Sequence, residues 1–159
     1  MRVLVTVVLV LFALPAVALA AGDNGKIAFT SKQDGPDEDI WVVNANGTGA
    51  TDLSNNTLRD VDPTFSPDGT KIAFARFIAG RNFDLFVMNA DGTGERQITN
   101  TTASERMPSW SPDGKQLVYR RNILGGRFDI WTLTVGTSGL ARAPISSRPP
   151  PARAQRVTA

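Results

Sequence analysis

The chain contains no histidine and no cysteine. Without cysteine, no disulfide can hold the fold together, and lipid attachment through a cysteine is excluded. Without histidine, the usual general base at neutral pH and the commonest metal ligand are both missing. Neither a Ser-His-Asp nor a Cys-His centre can be assembled from these residues alone. Neither charge sign dominates, with 17 basic and 15 acidic side chains and a net charge of +2. Residues 21–141 hold 15 acids and 12 bases, whereas Arg142, Arg148, Arg153 and Arg156 follow with no acid among them. Nucleic-acid binding calls for a basic stripe with stacking aromatics beside it, and this mildly acidic body has none. Long apolar runs are also scarce. The longest, Val3 to Leu14, is interrupted by Thr6 and falls short of the roughly 20 residues that span a bilayer. Lying between Arg2 and the small residues Ala18-Leu19-Ala20, it reads as a cleaved signal-peptide helix over residues 1–20. A retained membrane anchor is the alternative.

What is present is a repeat. Ile27-Ala28-Phe29, Ile72-Ala73-Phe74 and Leu117-Val118-Tyr119 lie 45 residues apart. So do Asp39-Ile40-Trp41, Asp84-Leu85-Phe86 and Asp129-Ile130-Trp131. The run from Asp62 through Ser66-Pro67-Asp68-Gly69 returns as Met107 through Ser111-Pro112-Asp113-Gly114. A period of about 40–50 residues, made of short strands and tight turns, marks a β-propeller blade.

The best copy places four strands at Pro63–Ser66, Lys71–Arg76, Asp84–Asn89 and Arg96–Thr99. Apolar side chains alternate onto both faces, as a sheet covered on both sides requires. The Ser-Pro-Asp-Gly and Asn-Ala-Asp/Asn-Gly turns supply proline and glycine where tight turns need them. In an antiparallel meander these short turns share one face. The longer loops at 33–38, 78–83, 123–128, 54–62 and 100–107 share the other. The expected fold is therefore all-β: a partial propeller of about three four-stranded antiparallel blades, the first lacking one strand. The blades are assigned to about 25–69, 70–114 and 115–146, within a repeat region of 21–146. A disordered Pro/Arg-rich tail is expected at 147–159.

The order of these motifs resembles the repeat of the TolB family, which also occurs in the propellers of prolyl oligopeptidase-type peptidases. The resemblance covers about residues 25–135. It implies a periplasmic or secreted propeller, usually six-bladed, that binds another protein. Two departures stand out: the repeats follow the leader directly, with no α/β domain before them, and only three copies are present. Position 153–159 reads Arg-Ala-Gln-Arg-Val-Thr-Ala where a further Ser-Pro-Asp-Gly copy would fall. Truncation or a reading-frame change is the favoured explanation, and a homodimer completing a six-bladed ring is the alternative.

The functional expectation is an exported, non-catalytic protein-binding scaffold of the cell envelope, with no cofactor, no metal and no catalytic residue. The alternative is the propeller of a prolyl oligopeptidase-type serine peptidase whose catalytic domain lies outside this chain. A carbohydrate-binding propeller is a weaker third reading, because the loops offer no aromatic platform. Candidate partner-binding residues on the long-loop face are Arg59, Asp60, Asp62, Arg81, Glu105, Arg106 and Arg127. A charged rim of this kind steers approach. The acidic loop 34–39 reads as a solvated loop or a cation site, with Asp39 and its counterparts anchoring backbone at strand entry. The recurrent Trp41, Phe86, Trp131, Phe65 and Trp110 are assigned to packing between blades.

Overall fold

The computed structural model describes residues 25–136 except 34, 79, 81 and 124–126, with the backbone alone at 123 and 127. The expected signal helix and the tail fall outside these residues. Among the described residues ten strands build three antiparallel sheets. The first contains β1 (Lys26–Ser31), β2 (Asp39–Asn44) and β3 (Thr51–Asp52). The second contains β4 (Asp60–Phe65), β5 (Lys71–Phe77), β6 (Phe83–Asn89) and β7 (Arg96–Gln97). The third contains β8 (Ser104–Trp110), β9 (Gln116–Ile123) and β10 (Arg127–Thr134). Every sheet is a meander in which chain neighbours pair.

This is the all-β partial propeller that the repeat implies. Among the described residues the first sheet has no Pro-x-aromatic strand, as expected. The third has three strands among the described residues rather than four. One period beyond β7 the chain reaches 141–142, which lie outside them.

Two differences from the expected strands have local causes. The inner strands β4 and β8 start earlier than the sequence suggests, and each changes register partway, between Val61 and Thr64 and between Arg106 and Ser109. Pro63 and Pro108 sit inside these breaks, where a residue without an N–H cannot hold a ladder. The residues before them, Asp62 and Met107, adopt left-handed φ of 58° and 55°. The outer strands are only two residues long, shorter than the expected 96–99. Beyond β7 the hydroxyl of Thr99 accepts the Leu85 N–H at 2.8 Å, and beyond β3 Ser54 accepts that of Ile40 at 2.9 Å. A side-chain oxygen thus takes over from the backbone ladder in both sheets.

Packing follows the alternation. Ile72 and Phe74 of β5 turn toward the first sheet and join Ile40 and Val42 of β2 with Phe86 and Met88. Ala73 and Ala75 turn the other way and join Leu85, Val87, Leu117, Tyr119 and Leu133, with Trp110 and Trp131 packed alongside. The middle sheet is therefore buried on both faces. Each fully buried Ile, Leu, Val, Phe or Met side chain contributes about 1.5–3 kcal/mol. Phe65, Phe86, Trp110 and Trp131 lie in or against these two layers, as the repeat implies, whereas Trp41, assigned to the same packing, belongs to neither. Phe74 and Phe86 stack with ring centroids 5.7 Å apart.

Candidate functional site

The loop face is organised by the crossings between sheets. Arg59 enters β4 and donates through Nε to Glu38 Oε2 of the preceding sheet. This hydrogen bond, helped by the positive charge of Arg59, holds the Glu38 carboxyl below its ordinary range. At the second crossing, Arg106 of β8 reaches back to Asp62 with Nε–Oδ2 of 2.9 Å and Nη2–Oδ1 of 3.1 Å. The Met107 N–H joins the same carboxylate at 3.1 Å, which is what the left-handed backbone there permits. Both guanidinium groups lie over the Phe83 ring, Arg59 at 5.6 Å and Arg106 at 4.6 Å from its centroid. Phe77, partly exposed, meets Phe83 edge-on at 5.3 Å. Arg59, Arg106, Phe77 and Phe83 thus form one patch flanked by Glu38 and Asp62.

Asp60 and Glu105, expected on the exposed rim, are instead fully buried. The first strand of each sheet begins inside the blade, so these acids face inward at the sheet-to-sheet crossing. Asp60 accepts Arg76 Nε at 2.6 Å and Nη2 at 2.7 Å, while Asn56 Nδ2 donates to it at 2.8 Å. Arg76 also bonds Glu95, with Nη2–Oε2 at 2.8 Å, and lies over Phe86 at 4.8 Å. Burial pulls the Arg76 guanidinium down, but the bonds to Asp60 and Glu95 outweigh it, leaving its pKa above the ordinary value.

One period later the same frame recurs with altered parts. Thr101 replaces Asn56, and its hydroxyl donates to Glu105 at 2.5 Å. Arg121 replaces Arg76 and lies over Trp131 at 4.4 Å, but its Nε stays 3.4 Å from Glu105. Among the described residues, Glu105 Oε2 and Arg121 Nε have no hydrogen-bond partner. Burial pushes the Glu105 carboxyl up to about 7, and the neighbouring Asp84 adds to the effect. Burial raises Asp84 as well. Tyr119, buried and near Glu105, rises to about 12.

Two of the recurrent aspartates, Asp39 and Asp84, anchor groups beyond the outer strand. Asp39 Oδ1 accepts the Ser54 hydroxyl at 2.9 Å, and Asp84 accepts the Thr101 N–H at 3.4 Å and Gln97 Nε2 at 2.9 Å. In the acidic loop, Asp39 turns inward and Glu38 turns to Arg59, so these two carboxylates do not converge. No group of three metal-ligating side chains occurs among the described residues. Arg81 and the side chain of Arg127 lie outside them. Arg76, Glu95, Arg121, Phe77 and Phe83 were not anticipated from the sequence. The available signal was an arginine repeated at the 45-residue offset, Arg76 and Arg121, near the end of the second strand of its repeat.

On the opposite face, Asp68 Oδ1 accepts the Ser66 hydroxyl at 2.6 Å and the Thr70 N–H at 3.1 Å. Asp113 accepts the Ser111 hydroxyl at 2.6 Å in the equivalent turn. These bonds, led by the serine hydroxyls, lower both carboxyl groups. A groove runs between the two turns past Lys71 and Trp110. The Trp110 indole N–H is committed across the sheets to Thr64 O at 3.2 Å.

A family model described as the TolB beta propeller domain matches residues 63–148. Among curated proteins none matches. Solved structures that share the fold include three propellers. A protein assigned as TolB from Agrobacterium tumefaciens is 20% identical with a TM-score of 0.63, over 72% of this chain and 43% of that one. TolB from Acinetobacter baumannii is 23% identical with a TM-score of 0.57, over 73% and 28%. The β-propeller domain of the Trilobed protease from Pyrococcus furiosus, which has an open velcro topology, is 18% identical with a TM-score of 0.57, over 77% and 39%. The chain spans less than half the length of each. These likenesses are ones of fold, and the matched model covers more than half of the sequence. The chain belongs to the TolB β-propeller family.

Proposed function

We propose that this chain is an exported, non-catalytic scaffold of the cell envelope that binds a protein through its long-loop face. The observation that carries the reading is the patch of Arg59, Phe77, Phe83 and Arg106. Arginine and aromatic side chains are the types enriched where proteins bind one another. Here two guanidinium groups are held over a ring by acids on adjacent sheets. Asp62 belongs to this surface, whereas Asp60 and Glu105 support it from inside. Export rests on the leader-like segment 1–20. No helix among the described residues is long and apolar enough to cross a membrane.

A second reading, the propeller of a prolyl oligopeptidase-type peptidase, draws support from the likeness to a protease propeller. Because the chain has no histidine, any such chemistry must come from residues outside it. Affinity capture from envelope extract tests the first reading. The captured protein should be lost with Arg59→Glu and retained with Lys115→Glu, which lies by the short turns. Equal capture by both variants would count against the loop face. Leader retention, with the chain left in the cytoplasm, would count against export.

A further inference from the structure

The two outer sheets present, on their open faces, the residue set that makes the two internal junctions. At the first junction Ile40 and Val42 pack with Ile72 and Phe74. One period on, Leu85 and Val87 pack with Leu117 and Tyr119. A further period places Ile130 and Thr132 of β10 in the first role, with Val118 and Phe128 where Ala73 and Phe83 stand in the middle sheet. One period back places Ile27 and Phe29 of β1 in the second role, with Trp41 where Phe86 stands. Among the described residues nothing covers these faces. Ile27 is 54% exposed, Phe128 52%, Ile130 56% and Val118 38%. Four of the six exposed large apolar side chains therefore lie on the two open faces, and monomers rarely leave such patches uncovered.

The faces match each other rather than themselves: one repeats the forward side of each internal junction, the other the backward side. We infer that the forward face of one copy binds the backward face of a second, and that two copies close head to tail into a ring of six sheets. Rings of about four to eight blades are the stable sizes, and closure by a two-fold axis leaves neither face over. A second copy is the fitting occupant because this chain already carries both halves of the junction at one spacing.

The polar residues on the forward face are compatible with this. Arg120, in the place of Ala75, lies over Phe128 at 3.9 Å, much as Arg106 lies over Phe83 at a formed junction. Thr30, the counterpart of Ala75 in the first sheet, is polar and half-buried at the first junction. Phe29 and Trp41, already mostly covered, and Phe128, about half exposed, would bury roughly 400 Å² further over the two copies. Ile27, Val118, Ile130 and the surrounding backbone bring the two junctions toward the roughly 1,200–2,000 Å² of a stable interface.

The lack of cysteine makes the test clean. In the full chain carrying Ile27→Cys and Ile130→Cys, both at exposed positions, mild oxidation should give a covalent dimer. Its disulfides, located by peptide mass spectrometry, should join 27 of one copy to 130 of the other. Links of 27 to 27 or 130 to 130 would overturn the head-to-tail arrangement. Independently, light scattering on the unaltered chain at tens of micromolar should give two copies per particle, and Ile130→Glu should give one. A monomeric unaltered chain would overturn the proposal, whether residues 1–24, residues 137–159 or another protein covers the face. The outcome is separate from the loop-face reading, since Arg59→Glu leaves both junction faces intact.

Discussion

Glu105 should make this protein less stable as the pH rises through neutrality. Its carboxyl is fully buried beside that of Asp84, which is raised with it, and its pKa is lifted from 4.5 to about 7. Between those two values the folded chain keeps a proton that the unfolded chain has released. The stabilisation is fully present below pH 4.5 and is lost as the pH climbs through about 7. At about 1.36 kcal/mol per pKa unit, the loss amounts to about 3 kcal/mol. For a domain of this size that corresponds to roughly 10 °C in Tm. The window is unusually clear, because the chain has no histidine to titrate within it. The acids whose pKa is lowered, among them Asp68 and Asp113, lose their contribution only as the pH falls below about 4. Glu105→Gln keeps an acceptor for the Thr101 hydroxyl and gains a donor toward Asp84, so it should flatten the slope and raise Tm at pH 8. Thermal unfolding followed by tryptophan fluorescence from pH 5 to 8, at one protein concentration, measures both. A wild-type Tm that is level or rising across this range would refute the reasoning. So would a Glu105→Gln variant that keeps the full slope.

Two further outcomes follow from the junctions. Phe74→Ala empties the centre of the layer between the first and second sheets and should cost about 3–5 kcal/mol in urea unfolding; a loss below 1 kcal/mol would mean that the layer is not packed. Arg76→Met leaves Asp60 buried without its cation and should cost about 3–5 kcal/mol at pH 7. A loss below 1 kcal/mol would mean that the pair is not shielded from solvent.

The fold was legible because every repeat must fill the same space. Ile72, Phe74 and Phe86 recur in type at a fixed interval, and the turns recur with them, so strands, faces and blade order could be read from spacing. The candidate site was legible only in part. Arg59, Asp62 and Arg106 lie together on the long-loop face, whereas Asp60 and Glu105, expected on the rim, point inward. Sequence position does not show that a strand starts inside the blade, nor that Arg76 waits beneath to receive a carboxylate. Pairing over 16 residues between Arg76 and Asp60, or over 44 between Arg106 and Asp62, depends on three-dimensional register. The outer strand, expected over 96–99, stops at Gln97 for a similar reason: the hydroxyls of Ser54 and Thr99 do a job that spacing assigns to backbone.

The central claim is that the sheets press face to face through the repeated apolar ladder. Nuclear Overhauser spectroscopy on methyl- and ring-labelled protein tests it most directly. Cross-peaks should connect the Ile40 or Val42 methyls with the Phe74 ring, and those of Leu85 or Val87 with the Tyr119 ring, residues that come from different sheets. Strong contacts within each sheet with none of these between sheets would contradict the account.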